Sequence, residues 1–251
     1  MSDRVIEKDY VITAILLALT GTKISELLAF KGGTALKKIY FPDYRFSEDI
    51  DFTLIVDTSP GALVSEFEAL LRVLATNQGF QFQVDANRIE RRKDSLTLYV
   101  NFVGPLQARL QSRDIKVDFT LSEILVFPLE KRAVHSAYSD VSSGSLNVYS
   151  LEEVLVEKLC AIIGRTEPRD IYDANFLFSL DEIDFFAIEA GFQEKAEFKG
   201  IDPSRLSRVI ARKEATFGRM WNNRLEHQIQ GLPHFEEVLR QLKRSLRAHL
   251  K

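Results

Sequence analysis

The strongest constraint on the fold is a change of hydrophobic period close to residue 150. Before it, FQVDANRIERR, SLTLYVNFVG and DIKVDFTLSE are rich in β-branched and aromatic residues and partly alternate, bounded by Asn, Asp, Gly and Pro, which is the pattern of sheet strands. After Leu151, the segments SLEEVLVEKLCAIIGR, RDIYDANFLFSL, FFAIEAGFQEKAEF, DPSRLSRVIARKEATFGRMW and PHFEEVLRQLKRSLRAHL place apolar residues three and four apart, the period of amphipathic helices. The expected fold class is therefore α+β, with an α/β domain over 1–150 and an all-helical domain over 151–251. Only the mild VSSGS turn marks the boundary. Within the first part, the spacing predicts a helix over 9–19, a second from Thr34, a strand over 48–56 and a helix through SPGALVSEFEALLRVLATNQGF.

With 251 residues, 45% of them hydrophobic, the chain can bury a full core, and a net charge of −3 gives no global sign of a nucleic-acid binder. The charge is unevenly spread, however. From residue 205 onward Arg205, Arg208, Arg212, Lys213, Arg219, Arg224, Arg240, Lys243, Arg244, Arg247 and Lys251 face only Glu214, Glu226, Glu236 and Glu237. This basic end suits RNA phosphates, a solvated helix face or an acidic partner protein. The lone Cys160 excludes an intramolecular disulfide and fits a reducing compartment, so the cytoplasm is expected. VITAILLAL is too short to span a bilayer and is preceded by balanced charges, which predicts a buried helix and no membrane association.

In EDIDFTLIV, strand alternation sends Asp49 and Asp51 to one face and Ile50 and Phe52 to the other. Two carboxylates this close disfavour double ionisation unless a cation sits between them. IKVDFTLSE repeats the design, with Lys116, Asp118 and Thr120 opposite Ile115, Val117, Phe119 and Leu121. Two strands supplying three aspartates is the donor set with which phosphoryl-transfer enzymes hold Mg²⁺. Alone, the D-x-D also fits a solvated face. An EF-hand is excluded, because the sixth and twelfth positions from Asp49 are Leu54 and Pro60. Upstream, Gly32, Gly33 and Thr34 form either an ordinary turn or a phosphate cradle at a helix start, and no P-loop pattern is present. Arg45 and Ser47 precede the aspartates at two-residue spacing and are candidates to meet the triphosphate.

Further along, Lys158 and Arg165 lie seven residues apart, nearly on one helical side, where they form either a triphosphate clamp or a solvated basic stripe. Beyond Pro168, Arg169, Asp170 and Asp173 follow at helical spacing, and Arg169 and Asp170, with Lys116 and Arg165 before them, are candidates to bind the nucleotide. Asp173 is left with three possible roles: orienting Lys158, contacting the nucleotide sugar, or acting as base.

Taken in order, KGGTALKKIY, YRFSEDIDF, KVD and EKLCAIIGRTEPRDIYD resemble the AbiEii/AbiGii abortive-infection toxin family of the polymerase-β-like nucleotidyltransferase superfamily, over about residues 30–173. The resemblance implies a mixed-sheet nucleotidyltransferase core with flanking helices, followed by a helical domain contributing Lys158 and Asp173 to the site. It implies that Gly33 and Thr34 contact phosphate, that Ser47, Asp49 and Asp51 form the first catalytic motif, and that Asp118 is the third acid. Mg²⁺, with Mn²⁺ as a substitute, is the implied cofactor and a nucleoside triphosphate the implied substrate. An RNA acceptor, a tRNA end above all, and a cognate antitoxin are the implied partners. A protein or small-molecule hydroxyl as acceptor, or a catalytically idle nucleotide-binding or antitoxin-binding scaffold, are the alternatives.

Overall fold

The computed structural model describes residues 2–139 and 143–250, so Val141 and Ser142 of the VSSGS turn and the basic Lys251 lie outside the described residues. Strands β1 (Leu28–Lys31), β2 (Asp49–Leu54), β3 (Gln81–Val84), β4 (Glu90–Arg91), β5 (Ser95–Val103), β6 (Asp114–Thr120), β7 (Leu129–Ala133) and β8 (Ser145–Tyr149) form one sheet in the order β3-β5-β6-β2-β1-β8-β7, with β4 beside β5. It is mixed: β2 runs parallel to β6 and β1 to β8, while β1–β2, β3–β5, β4–β5 and β5–β6 are antiparallel.

Alternation sets the faces of the sheet. In β6, Ile115, Val117 and Phe119 are buried while Lys116, Asp118 and Thr120 are only half-buried. In β2, Ile50 and Phe52 are buried between the half-buried Asp49 and Asp51. Helices α1 (Asp3–Leu19) and α3 (Pro60–Gln78) pack in the same core, where Phe52 stacks on Phe119 at 5.7 Å and Phe67 meets Phe119 edge-on. The short helix α2 (Gly32–Ala35) follows β1 directly and widens into a π-helical turn at Leu36–Tyr40.

The sequence pattern differs from the structure in three places. α1 begins at Asp3 rather than near residue 9, because Glu7 and Asp9 are buried anchors and not a charged lead-in. Glu7 accepts from the Leu106 amide at 2.7 Å and pairs with Arg113, while Asp9 pairs with Lys38 at 2.7 Å and accepts from the Tyr138 hydroxyl at 2.9 Å. The second helix starts at Gly32, two residues ahead of the expected Thr34. β1 and β8 were also not anticipated: β1 is four residues long and buried throughout, and β8 alternates over only five residues, too few to stand out.

Contacts divide the chain into two units, one containing residues 1–123 and 130–148, the other Ile124–Leu129 and Tyr149–Lys251. The second unit is built from α4 (Leu151–Gly164), α5 (Pro168–Leu177), α6 (Phe185–Phe198), α7 (Leu206–Leu225) and α8 (Phe235–His249). Ser150 caps α4 by accepting from the Glu153 amide, and Pro168 opens α5 in its first turn. Among the described residues no helix is long and apolar enough to cross a membrane.

A buried ion pair explains why Ile124–Leu129 joins the helices although the expected boundary lay at 150. Lys195 and Glu153 are both fully buried. The Lys195 ammonium donates to Glu153 Oε1 at 2.5 Å and to the Ile124 carbonyl at 2.6 Å, and Glu153 Oε2 accepts from the Val126 and Phe127 amides at 2.9 and 2.8 Å. On α6 the absent side chain of Gly191 leaves room for the Phe127 ring, since a Cβ there would lie 2.6 Å from Phe127 Cε2. Removing one partner of such a pair leaves an uncompensated buried charge. Glu153→Ala should therefore lower unfolding stability by about 3–5 kcal/mol, and pairing it with Lys195→Met should recover much of the loss, both read from urea denaturation.

Candidate active site

The register of four neighbouring strands lines up one polar row. Lys31 on β1 is opposite Asp51 on β2, Asp51 is opposite Asp118 on β6, and Asp118 is opposite Thr97 on β5. One step along, Asp49 is opposite Lys116, which is opposite Tyr99. The three aspartates thus occupy adjoining positions on one face, backed by the aromatic core. Asp118 is held from two sides: Oδ1 accepts from Thr97 Oγ1 and Oδ2 from Lys116 Nζ, both at 2.5 Å. Burial alone would lower the Lys116 pKa, but its hydrogen bond to Asp118 and the charges of Asp118, Asp49 and Asp51 raise it overall, so it remains an ammonium.

The glycine turn wraps these side chains closely. Gly32 has φ 80°, the left-handed region that favours glycine, and a Cβ there would lie 2.5 Å from Asp51 Oδ2. A Cβ on Gly33 would lie 2.5 Å from Arg45 Nη2 and 3.2 Å from Ser47 Oγ. Arg45 and Ser47 are buried in the loop ahead of β2 rather than on the strand itself, and Arg45 Nη1 donates to the Phe46 carbonyl at 3.1 Å. Thr34 is buried with its hydroxyl donating to the Asp49 carbonyl, so it braces the D-x-D strand.

In the helical unit the candidate residues gather around Asp170. Lys158 on α4 reaches Asp170 Oδ1 at 3.0 Å and Asp173 Oδ2 at 2.7 Å. Arg165 donates to Asp170 with Nε at 2.7 Å and Nη2 at 3.0 Å, a bidentate fork. Asp170 and Asp173 are fully buried, Arg165 is half-exposed and Arg169 half-buried. Lys158 and Arg165, seven residues apart, therefore meet on one carboxylate of the next helix. Burial would raise the Asp170 pKa, but the Lys158 charge and the Arg165 hydrogen bonds outweigh it and hold the carboxyl below its usual range.

Three contributors have no motif of their own. Lys31, directly before the glycines, is buried opposite Asp51, and its position beside the turn is the only sequence cue. Thr97 is found by the alternation of SLTLYVN, but only the β5–β6 register puts it against Asp118. Lys213 on α7 donates to the Arg165 carbonyl at 2.7 Å and to those of Ile162 and Ile163 at 3.3 Å, closing the C-terminal turn of α4, which a run of basic residues does not reveal.

The donor chemistry of the sheet face suits a hard divalent cation. Among the described residues no three or more His, Cys, Asp or Glu side chains are gathered into a ready-made metal cage, and both Asp118 oxygens are engaged by Thr97 and Lys116. Mg²⁺ does not require such a cage, because it commonly takes one or two carboxylates plus water and substrate phosphates. Asp49 and Asp51, neighbours on one face, meet that requirement, with Asp118 adjoining.

Residues 15–241 match the model of the family described as nucleotidyl transferase AbiEii toxin, type IV TA system. The chain belongs to the AbiEii family. It is accordingly a nucleotidyltransferase, the toxin component of a type IV toxin–antitoxin system, and the match spans every candidate residue from Gly32 to Asp173. The mixed sheet and helical C-terminal region are shared with solved structures. MenT4, a nucleotidyltransferase toxin from Mycobacterium tuberculosis H37Rv, aligns at a TM-score of 0.67 and 19% identity over 96% of this chain and 82% of its own. JHP933 from Helicobacter pylori aligns at 0.61 and 16% identity over 99% and 92%. No curated protein matches in sequence.

Asp170 gives this AbiEii chain a measurable acid limb. Because its folded pKa is depressed, its stabilisation is complete above the unfolded carboxyl value of about 3.9 and is lost as pH falls through the lower folded value. Asp170→Asn should cost about 3–5 kcal/mol at neutral pH and flatten the acid limb of the stability profile below about pH 4, measured by denaturant titration across pH.

Proposed function

We propose that this AbiEii toxin transfers a nucleotide from a nucleoside triphosphate to RNA, at the 3′ end of tRNA, and thereby blocks translation in the cytoplasm. The observation that carries the reading is the placement of Asp49, Asp51 and Asp118 side by side on one sheet face next to a glycine turn. Asp49, Asp51 and Asp118 would hold Mg²⁺ or Mn²⁺. When bound, the cation would neutralise triphosphate charge and acidify the acceptor hydroxyl. Arg45, Ser47 and Lys116 supply hydrogen-bond donors around that face, and the backbone of the Gly32-Gly33-Thr34 turn supplies amides for phosphate. Lys158, Arg165, Arg169, Asp170 and Asp173 are assigned to the same reaction on the order of the family's motifs. Within their cluster, Asp173 holds the Lys158 ammonium in place.

RNA is favoured as acceptor by the α7–α8 surface. Arg240, Lys243, Arg244 and Arg247 line a groove of about 460 Å³ together with Leu239, Glu214 and Glu236, and Lys243 is paired there with Glu214 at 2.7 Å. A row of arginines on one helix suits a phosphate backbone and makes affinity fall steeply with salt.

The test is incubation of the purified protein with Mg²⁺, total cellular RNA and each α-labelled nucleoside triphosphate in turn. Label should enter the tRNA fraction, and Asp49→Asn or Asp51→Ala should reduce it on the order of a thousandfold, as should Lys158→Ala. No labelled RNA with any nucleotide would refute the RNA acceptor, and label in protein or small molecules would move the acceptor to those hydroxyls. Growth inhibition that survives Asp51→Ala and Lys158→Ala would assign toxicity to binding rather than catalysis.

A further inference from the structure

We propose that Thr97 is a positioning residue for nucleotidyl transfer, fixing the orientation of the Asp118 carboxylate. The inference rests on the assignment of Asp118 to the metal site. Asp118 stands at the centre of the sheet between two unlike neighbours. Thr97 Oγ1 lies 2.5 Å from Oδ1 and Lys116 Nζ lies 2.5 Å from Oδ2, so each carboxylate oxygen has one defined donor. The two donors differ in stiffness. Thr97 is 8% exposed, β-branched and set in a strand paired on both sides, so its single χ1 torsion fixes where the hydroxyl points. Lys116 ends a four-carbon stem whose side chain is 36% exposed, and it can swing toward an arriving phosphate without disturbing the sheet.

The division of labour follows from this contrast. When Lys116 turns to the triphosphate, Asp118 would lose its second donor and, without Thr97, could rotate freely about its own torsions. With Thr97 in place, one oxygen stays anchored and the other remains directed toward the face shared with Asp51. Catalytic ligands must be held to within about 0.5 Å, and a short charge-assisted O–H···O bond from a rigid strand is a means of doing so.

The experiment compares wild type, Thr97→Val, Thr97→Ser and Asp118→Asn as full-length proteins. The readout is Mn²⁺ titration in the presence of a nucleoside triphosphate, with free Mn²⁺ followed by electron paramagnetic resonance. Thr97→Val keeps the shape and removes the donor, and it should weaken Mn²⁺ binding about tenfold, the loss expected for one hydrogen bond to a charged group. Thr97→Ser should restore binding to within about twofold of wild type. In the labelling assay the Val variant should lose kcat while its nucleotide KM stays within about twofold, a split that follows from an interaction absent in substrate binding. If Thr97→Val binds Mn²⁺ like wild type while Asp118→Asn is weakened, Thr97 does not position the carboxylate. Equal weakening by Val and Ser would assign the effect to packing and overturn the proposal. If Asp118→Asn matches wild type, or wild type binds no Mn²⁺, the assignment of Asp118 itself fails and the role of Thr97 falls with it.

Discussion

The parallel pairing of β2 with β6 is the constraint on which the acidic face depends. It sets Asp51 opposite Asp118 and Asp49 opposite Lys116, while the reverse sides of the same strands contribute Ile50, Phe52, Val117 and Phe119 to the core. A slip of one residue would turn Phe119 outward and bury Asp118, so one register sets both the hydrophobic face and the row of carboxylates. The aromatic contacts among Phe52, Phe119 and Phe67 thereby fix where the carboxylates stand. The carboxylates do not stand alone on their face. Lys31 and Lys116 are interleaved with them, which lowers the cost of keeping like charges adjacent.

The cluster on α4 and α5 solves the opposite problem, that of burying charge among helices. Lys158 and Arg165 are balanced by Asp170 and Asp173, and Asp170 takes hydrogen bonds from both cations. Lys213 closes the same turn of α4 from a third helix, so the backbone that carries Arg165 is held independently of its guanidinium. A lysine pinned between two buried carboxylates points in one direction, so its placement is set by the fold before anything binds.

Much of this was legible in the sequence, and the parts that were not have physical reasons. Period-two alternation located β2, β5 and β6 and the faces of Asp49, Asp51 and Asp118, and period 3.6 located the five C-terminal helices. The order of the motifs gave the AbiEii family before any geometry was known. Alternation gives a residue's face but not its neighbour, so the contact of Thr97 with Asp118 and the place of Lys31 beside Asp51 emerge only with strand register. β1 was hidden because four residues buried throughout show no period, and β8 because it alternates over only five residues. The motif order points the glycines at phosphate, and the close approach of Asp51 and Arg45, which excludes a side chain at both positions, is a packing requirement that the motif does not reveal. Asp170 was read as one nucleotide contact among several, because spacing along a helix cannot show that the preceding helix delivers two cations to it.

The short stretch Ile124–Leu129 sets an order of events during synthesis. It leaves the ribosome before β7 and β8, yet its carbonyl and amide partners, Lys195 and Glu153, are translated only with α6 and α4. At about 5–20 residues per second that interval lasts several seconds. Of the two charges that hold this segment Lys195 is the later to be made, so the buried pair is complete only once α6 has been translated.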